Sequence, residues 1–188
     1  VGTYDDPATA RYNENTYSFI IRSTIGTLRN AWVYEKSRLI RKKRNIFSFH
    51  NQLVSGLVKG LLIVFIVYLI GKEIGLLMYL LSVIVAKILL ETVNYIEHYG
   101  LTRELGSPVL PRHSWNTNRW VSSNLLYNLS RHSAHHEKAN VPYWKLNPYK
   151  DAPEMPLGYL SMVYIAILAP PVFKKIMESR VIKWRESI

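Results

Sequence analysis

The sequence predicts an all-α membrane protein built around a transmembrane helical hairpin. Residues 53–70 form an apolar run of 18 residues with a single charge, Lys59, and residues 74–90 form a second run charged only at Lys87. A helix of 18 residues is about 27 Å long, close to the roughly 30 Å of a bilayer core. A polar break of only three residues separates the runs, which indicates a tight turn.

The alternative is a pair of buried helices in a soluble bundle. Residues 61–70 read LLIVFIVYLI and are apolar on every face of a helix. A buried helix of a soluble protein is usually shorter and has one less apolar side. The pattern therefore favours membrane insertion.

Positive charge predicts the orientation of the hairpin. The net charge is +11, and residues 35–44 carry six Lys and Arg side chains just before the first run. Further arginines follow the second run, at Arg103, Arg112, Arg119 and Arg131. Basic segments next to membrane helices stay on the cytoplasmic side. We therefore expect a multi-pass protein of the inner (cytoplasmic) membrane, with the segments before and after the hairpin in the cytoplasm. The basic run suits anionic lipid headgroups, and we expect no nucleic-acid partner.

The remaining sequence divides into flanking segments. Helical periodicity predicts an amphipathic helix over 17–43 and a second helix over 120–138, while residues 157–169 are apolar but too few to span a bilayer. The short apolar run predicts an interfacial or re-entrant helix. The expected segments are a cytoplasmic or interfacial part (1–50), the hairpin (51–100) and a cytoplasmic C-terminal cap (101–188).

Histidines are the candidate metal ligands. There is no cysteine, which excludes disulfides and iron–sulfur sites. His132, His135 and His136 form an HxxHH pattern, whose spacing brings them to one face of a helix. Neutral imidazole is the commonest metal ligand, so we favour metal binding over the alternative of exposed polar histidines.

The end of the second apolar run carries another polar group. His98 follows Glu91, Asn94 and Glu97 within eight residues. Ionisable groups beside a membrane span are costly unless they are used or paired. The alternative is that they reach the headgroup layer.

Three motifs in this order resemble the integral-membrane non-haem di-iron alkane 1-monooxygenases. They are NYIEHYGL at 94–101, HSWN at 113–116 and RHSAHH at 131–136. DDPATAR at 5–11 and the PLGY…APP…RV stretch at 156–181 are also similar to segments of that family. HxxHH alone is shared with membrane fatty-acid desaturases and hydroxylases.

The resemblance implies a fold of six transmembrane helices, of which this chain supplies the last two and the C-terminal cap. It implies a cytoplasmic active site with two irons and O₂, and no separate catalytic side chain or organic cofactor. By motif, the implied iron ligands are His98, His132, His135 and His136. The residues implied near the site are Glu91, Asn94, Glu97, His113 and Asn116. His50 matches no family motif, and we interpret it as an interface histidine.

The implied reaction converts the terminal methyl group of medium- and long-chain n-alkanes to a primary alcohol. Electrons would come from rubredoxin and its NAD(P)H-dependent reductase, and the protein would contact membrane lipid. One alternative is a membrane fatty-acyl desaturase or hydroxylase. A second is a non-catalytic metal-binding membrane protein.

Two departures from the family pattern stand out. The first two histidine boxes are absent, and four histidines cannot coordinate two irons, so we expect this chain alone to be inactive. Ala134 occupies the position where the family usually has an acid that would orient a ligand.

Overall fold

The computed structural model describes residues 2–137, 140–149 and 151–187, and within them the chain is helical with no β-strand. One isolated parallel bridge joins Asn116 and Glu154. Short 3₁₀ helices lie at Pro111–His113 and Tyr143–Lys145. The α-helices are α1 (Thr16–Arg41), α2 (Gln52–His98), α3 (Trp120–Leu125), α4 (His132–Glu137), α5 (Tyr159–Leu168) and α6 (Pro170–Glu186).

The described residues form two compact units, one of residues up to Ser23 together with those from Leu89 onward, and one of Thr24–Ile88. The core of the first unit is aromatic. Ring centroids of Tyr95, Tyr99 and Phe173 lie 5.2 Å apart in all three pairings. The ring of Phe19 packs against Tyr95 at 5.4 Å. These rings attach the end of α2 to α6 and to the start of α1.

The second unit contains most of the apolar part of α2. Glu35 pairs with Arg38 at 2.7 Å and also accepts a hydrogen bond from the main-chain N–H of Gln52 at 3.1 Å, which satisfies a free donor at the start of α2. The helix is long and apolar enough to cross a membrane, and none of its most apolar stretch is buried by protein. Exposed apolar surface on this scale requires lipid or protein cover, and the chain is an all-α membrane protein.

The polar break in α2 is where the sequence predicts it. Lys72 has a non-helical backbone, with φ 48° and ψ −147°, between two helical stretches that each contain an apolar run. The three-residue break over which the sequence predicts a turn therefore includes Lys72, the residue with the non-helical backbone. That the stretches form an antiparallel hairpin stays a prediction, as do its orientation and the three-segment division of the chain.

The structure corrects one predicted helix. The helix expected over 120–138 is divided into α3 and α4, and Lys138 lies outside the described residues. Tyr127 and Asn128 have φ of 50° and 59°. Two successive left-handed residues cannot continue a right-handed helix. The helices predicted over 17–43 and 157–169 are confirmed as α1 and α5.

Candidate metal centre

Three histidines meet where the last turn of α2 faces α4. The Nε2 atom of His132 lies 3.2 Å from Nε2 of His98 and 2.7 Å from Nε2 of His136. Candidate ligand atoms of the three all lie within 4.8 Å of one another. His98 and His132 are buried and His136 is half-buried. We call these three residues the histidine trio.

Asn116 fixes the first turn of α4, which carries the trio's second histidine. Its Oδ1 accepts a hydrogen bond from the main-chain N–H of Ser133 at 3.0 Å, and its Nδ2 donates to Ser133 Oγ at 2.6 Å. The Asn116 main chain in turn bonds to Pro153 and Met155 at 2.9 and 2.8 Å. The loop before α3 thus positions His132, the neighbour of Ser133.

A buried glutamate lies beside His132. Glu97 is fully buried, and its Oε2 lies 3.3 Å from Nε2 of His132. Its Oε1 accepts a 2.6 Å hydrogen bond from the hydroxyl of Tyr159. The main-chain carbonyl of Glu97 accepts from the N–H of Trp115 at 2.8 Å. One oxygen of this side chain therefore accepts a hydrogen bond from a phenol while the other lies beside His132.

Burial keeps the imidazoles of His132 and His136 neutral. It lowers the pKa of His136 to about 4, with the nearby His135 adding to the effect. Burial, and then the neighbouring imidazoles of His98 and His136, hold the pKa of His132 well below its usual value. A neutral imidazole offers a lone pair to a metal. Burial also raises the pKa of the Tyr159 phenol, so that it remains a hydrogen-bond donor.

The donor chemistry fits a transition-metal cation. Nε2 of His132 contacts Nε2 of both His98 and His136, and one ring nitrogen has either one N–H or one lone pair, so it can form only one well-directed hydrogen bond. The second contact is then unfavourable, and a cation between the rings would relieve it. A set of imidazole nitrogens is suited to iron, zinc or copper. The residues present therefore fit one such ion.

His135 is not brought into the trio. It is exposed and lines an apolar groove of about 580 Å³ together with Leu126, Leu129 and Leu146. Its ring centroid is 5.9 Å from that of His136. Helical spacing predicts that the three histidines share one face. Such a face is about 100° wide, so two side chains on it can still contact different neighbours. Its role as a ligand stays a prediction.

The residues expected near the site occupy different surroundings. His113 is buried and its Nδ1 accepts a hydrogen bond from the N–H of Leu110 at 3.0 Å. Glu91 is buried on α2 and Asn94 is half-buried one turn later. Ala134 is buried beside His132. Their roles at the site stay predictions.

Tyr159 and Ser133 are the residues near the trio that sequence reasoning did not identify. Ser133 lies inside the RHSAHH motif, between residues that were identified for their imidazoles. Tyr159 is the last residue of the PLGY segment, and that segment was the only signal pointing to it. A tyrosine in an apolar run is usually a core residue, and here it is one whose hydroxyl reaches Glu97.

Comparison with known proteins agrees with the motifs. A family profile described as fatty acid desaturase matches residues 1–166. The chain is 37% identical over 186 residues to alkane 1-monooxygenase 2 of Alcanivorax borkumensis. That alignment covers 96% of this chain and 48% of the relative. It is 38% identical over 188 residues to alkane 1-monooxygenase of Acinetobacter baylyi, covering 95% and 45%.

A third relative has a different named substrate. The hydroxylase component of xylene/toluene monooxygenase from Pseudomonas putida is 32% identical over 174 residues, covering 88% of this chain and 47% of that protein. The chain thus spans about half the length of the curated relatives it matches. The resemblance inferred from the motifs is confirmed. The chain belongs to the fatty acid desaturase family.

Proposed function

We propose that this chain is part of a membrane monooxygenase that converts the terminal methyl group of medium- and long-chain n-alkanes to a primary alcohol. The observation that carries the proposal is that ligand atoms of three histidines lie within 4.8 Å of one another at the end of an apolar helix. Relatives named alkane 1-monooxygenase support the choice of substrate.

The proposed cofactor is a pair of iron ions used with O₂. His98, His132 and His136 would hold one iron, His135 would serve the second, and Glu97 would lie near the site without binding iron. Bound iron supplies the oxidation of a C–H bond by O₂, which no amino-acid side chain can perform. Residues of the rest of the protein would complete the coordination.

The residues of this chain have supporting tasks. His98 and His132 are buried, so bulk water has little access to these two rings. An alkane offers no polar group, so it must be recognised by shape in a dry apolar passage, and the apolar faces of α2 are candidate walls. We also propose that the trio lies on the cytoplasmic side of the inner membrane, where the basic surface would attract an acidic electron donor such as rubredoxin, served by its NAD(P)H-dependent reductase.

A fatty-acyl desaturase or hydroxylase is the second candidate. The family profile carries that description, and the same metal and oxidant would serve both reactions. The substrates differ because an acyl thioester has a polar head and an alkane has none.

The experiment is a turnover assay of the full-length protein, purified with its native electron donors. We expect O₂-dependent conversion of n-octane to 1-octanol, no turnover of an acyl thioester, and iron as the bound metal. His132→Ala should remove both iron and activity. Turnover of the thioester alone would support the second candidate, and a wild-type protein that holds only zinc would contradict an oxygenase of either kind.

A further inference from the structure

An apolar groove lies between α1 and the start of α2. It has a volume of about 570 Å³, and Arg29 is the one charged side chain among the described residues that line it. On α1 it is lined by residues three or four positions apart, which share one face of a helix; they are Ile25, Leu28, Arg29 and Trp32. On α2 it is lined by residues that include Leu53 and Leu57. The whole groove lies within the Thr24–Ile88 unit.

Arg29 gives the groove an unpaired positive charge. Its side chain is exposed, and it forms no hydrogen bond or ion pair with any residue that the structure describes. Arg38, further along α1, is by contrast paired with Glu35 at 2.7 Å. A guanidinium can donate two parallel hydrogen bonds to one phosphate. The groove therefore matches a ligand that combines an apolar chain with a phosphate.

The segment that contains Arg29 is strongly basic. Residues 29–44 carry seven Lys and Arg side chains but a single acid, Glu35, and the next acid along the chain is Glu73. A surface of one charge sign attracts ligands of the opposite sign. The ligand is therefore expected to carry a net negative charge.

The groove also adjoins the part of the chain that is long and apolar enough to span a membrane. Leu53 and Leu57 line the groove and belong to the start of the apolar run of α2. The loop before α2 exposes Phe47 and Phe49 next to the basic segment, a combination typical of chain that lies at a bilayer interface. The ring centroid of Phe47 lies 5.9 Å from that of Trp32, so this loop contacts the groove.

We infer that the groove binds an anionic phospholipid of the surrounding membrane, with an acyl chain against Leu28, Trp32 and Leu57 and the phosphate at Arg29. The inference depends on neither the metal centre nor the alkane substrate. The competing occupant is a helix from the rest of the protein, which would have to bring both an apolar face and a group that pairs with Arg29. A phospholipid supplies both parts in one molecule.

The test uses the full-length protein in a non-ionic detergent, titrated with phosphatidylglycerol whose acyl chains carry bromine. Bromine quenches tryptophan fluorescence on contact, so a chain in the groove is detected at Trp32. We expect saturable quenching in the wild-type protein and its loss in Trp32→Phe. If no quenching arises from Trp32, then protein fills the groove or lipid binds elsewhere, and either result would overturn the inference.

A second lipid isolates the role of the phosphate. Diacylglycerol with the same brominated chains has no phosphate and should bind more weakly than phosphatidylglycerol. Arg29→Gln should weaken binding of phosphatidylglycerol at least about tenfold, because charge-assisted hydrogen bonds are lost, and should leave diacylglycerol binding unchanged. Equal losses for the two lipids would contradict a phosphate at Arg29. Phosphatidylcholine should also bind more weakly than phosphatidylglycerol, since its choline would meet the basic segment, and equal affinities would contradict the preference for an anion.

The matched control variant is Arg41→Gln. Arg41 is another exposed arginine of α1, but it does not line the groove. Both variants remove one positive charge from the same basic segment, so a defined site predicts a clearly smaller loss of phosphatidylglycerol affinity in Arg41→Gln. Equal losses in the two variants would mean that lipid is attracted by a diffuse basic surface, and the assignment of the groove would be wrong.

Discussion

The Nε2 atoms of His98 and His132 lie 3.2 Å apart although 34 positions separate the two residues. This contact joins the last turn of α2 to the first residue of α4. A cation shared by these two rings would therefore cross-link α2 to the C-terminal segment, and metal binding should stabilise that contact as well as support chemistry.

Removing a trio imidazole should therefore cost both metal and stability. We expect His98→Ala in the full-length protein to lose at least half of its iron and to melt at a lower temperature, because a ligand and a cross-link disappear together. Iron is counted by elemental analysis of purified protein.

The matched control for this prediction is His50→Ala. His50 is an exposed histidine in a different unit of the fold, beside Arg44. It should keep the wild-type iron content. Equal iron in His98→Ala and His50→Ala would contradict the assignment of His98.

Substitution of His135 and substitution of His136 should change the iron content of the protein by different amounts. His136 belongs to the trio, whereas His135 is exposed and outside it. If His135 serves the second ion of a pair, His135→Ala should leave about one iron in each full-length chain. His136→Ala should remove the ion held by the trio and lower activity to background.

The comparison is made by metal analysis together with the Mössbauer spectrum, which separates a single iron from a coupled pair. A His135→Ala variant with two irons and normal turnover would mean that this residue is not a ligand. The resemblance to alkane 1-monooxygenases would then overstate the ligand set of this chain.

Metal binding should resist mild acid. The pKa of His136 is lowered to about 4 and that of His132 lies well below its usual value, so protons do not compete with a metal at pH 6. Cobalt affinity of the full-length protein should stay nearly constant from about pH 7 to 5 and fall as the pH approaches 4. A site of ordinary solvated histidines would lose affinity already below about pH 6.5.

The stability of the metal-free protein should also depend on pH. Unfolded histidines take up protons near pH 6.5, whereas folded His136 does so only near pH 4, so protonation favours the unfolded chain. The melting temperature of the metal-free protein should therefore fall as the pH drops from about 6.5 to 4. A melting temperature that is flat over this range would contradict the low pKa of His136.

Much of the architecture could be predicted from local patterns. The helical periodicity of residues 17–43 gives α1 within two residues at each end, and the charged break between the apolar runs includes the one irregular residue, Lys72. Both features depend on residues close in sequence. His98 and His132 could be assigned because each lies in a recognisable motif.

Other features depend on contacts that local patterns do not record. Tyr127 is not a residue type that indicates a turn, yet it adopts a left-handed backbone before Asn128 and separates α3 from α4. The Tyr159–Glu97 hydrogen bond spans 62 positions. The exposure of His135 follows from how α4 is rotated against its neighbours, and spacing along a helix does not determine that rotation.

Gly100, just after the trio's first histidine, should not tolerate a side chain. Its φ is 71°, and an added Cβ would lie 3.0 Å from a methyl carbon of Val181. We expect Gly100→Ala to lower the free energy of unfolding by about 1–3 kcal/mol, since strain and overpacking act together. Thermal unfolding of the full-length protein measures this.

The control is Gly106→Ala. Gly106 also has a positive φ, 87°, but an added Cβ would meet no atom within 4 Å. It carries the backbone strain without the close contact, so its loss of stability should be the smaller of the two. A Gly100→Ala variant no less stable than Gly106→Ala would contradict the packing of Gly100 against α6.

The most direct test of the central claim is the position of iron in the full-length protein, located by anomalous scattering at the iron absorption edge. We predict a peak within coordination distance, about 2.0–2.3 Å, of the Nε2 atoms of His98, His132 and His136. A second peak is expected nearby, on the side of His135. Iron bound elsewhere, with the ring of His98 beyond coordination distance of any metal, would contradict the account.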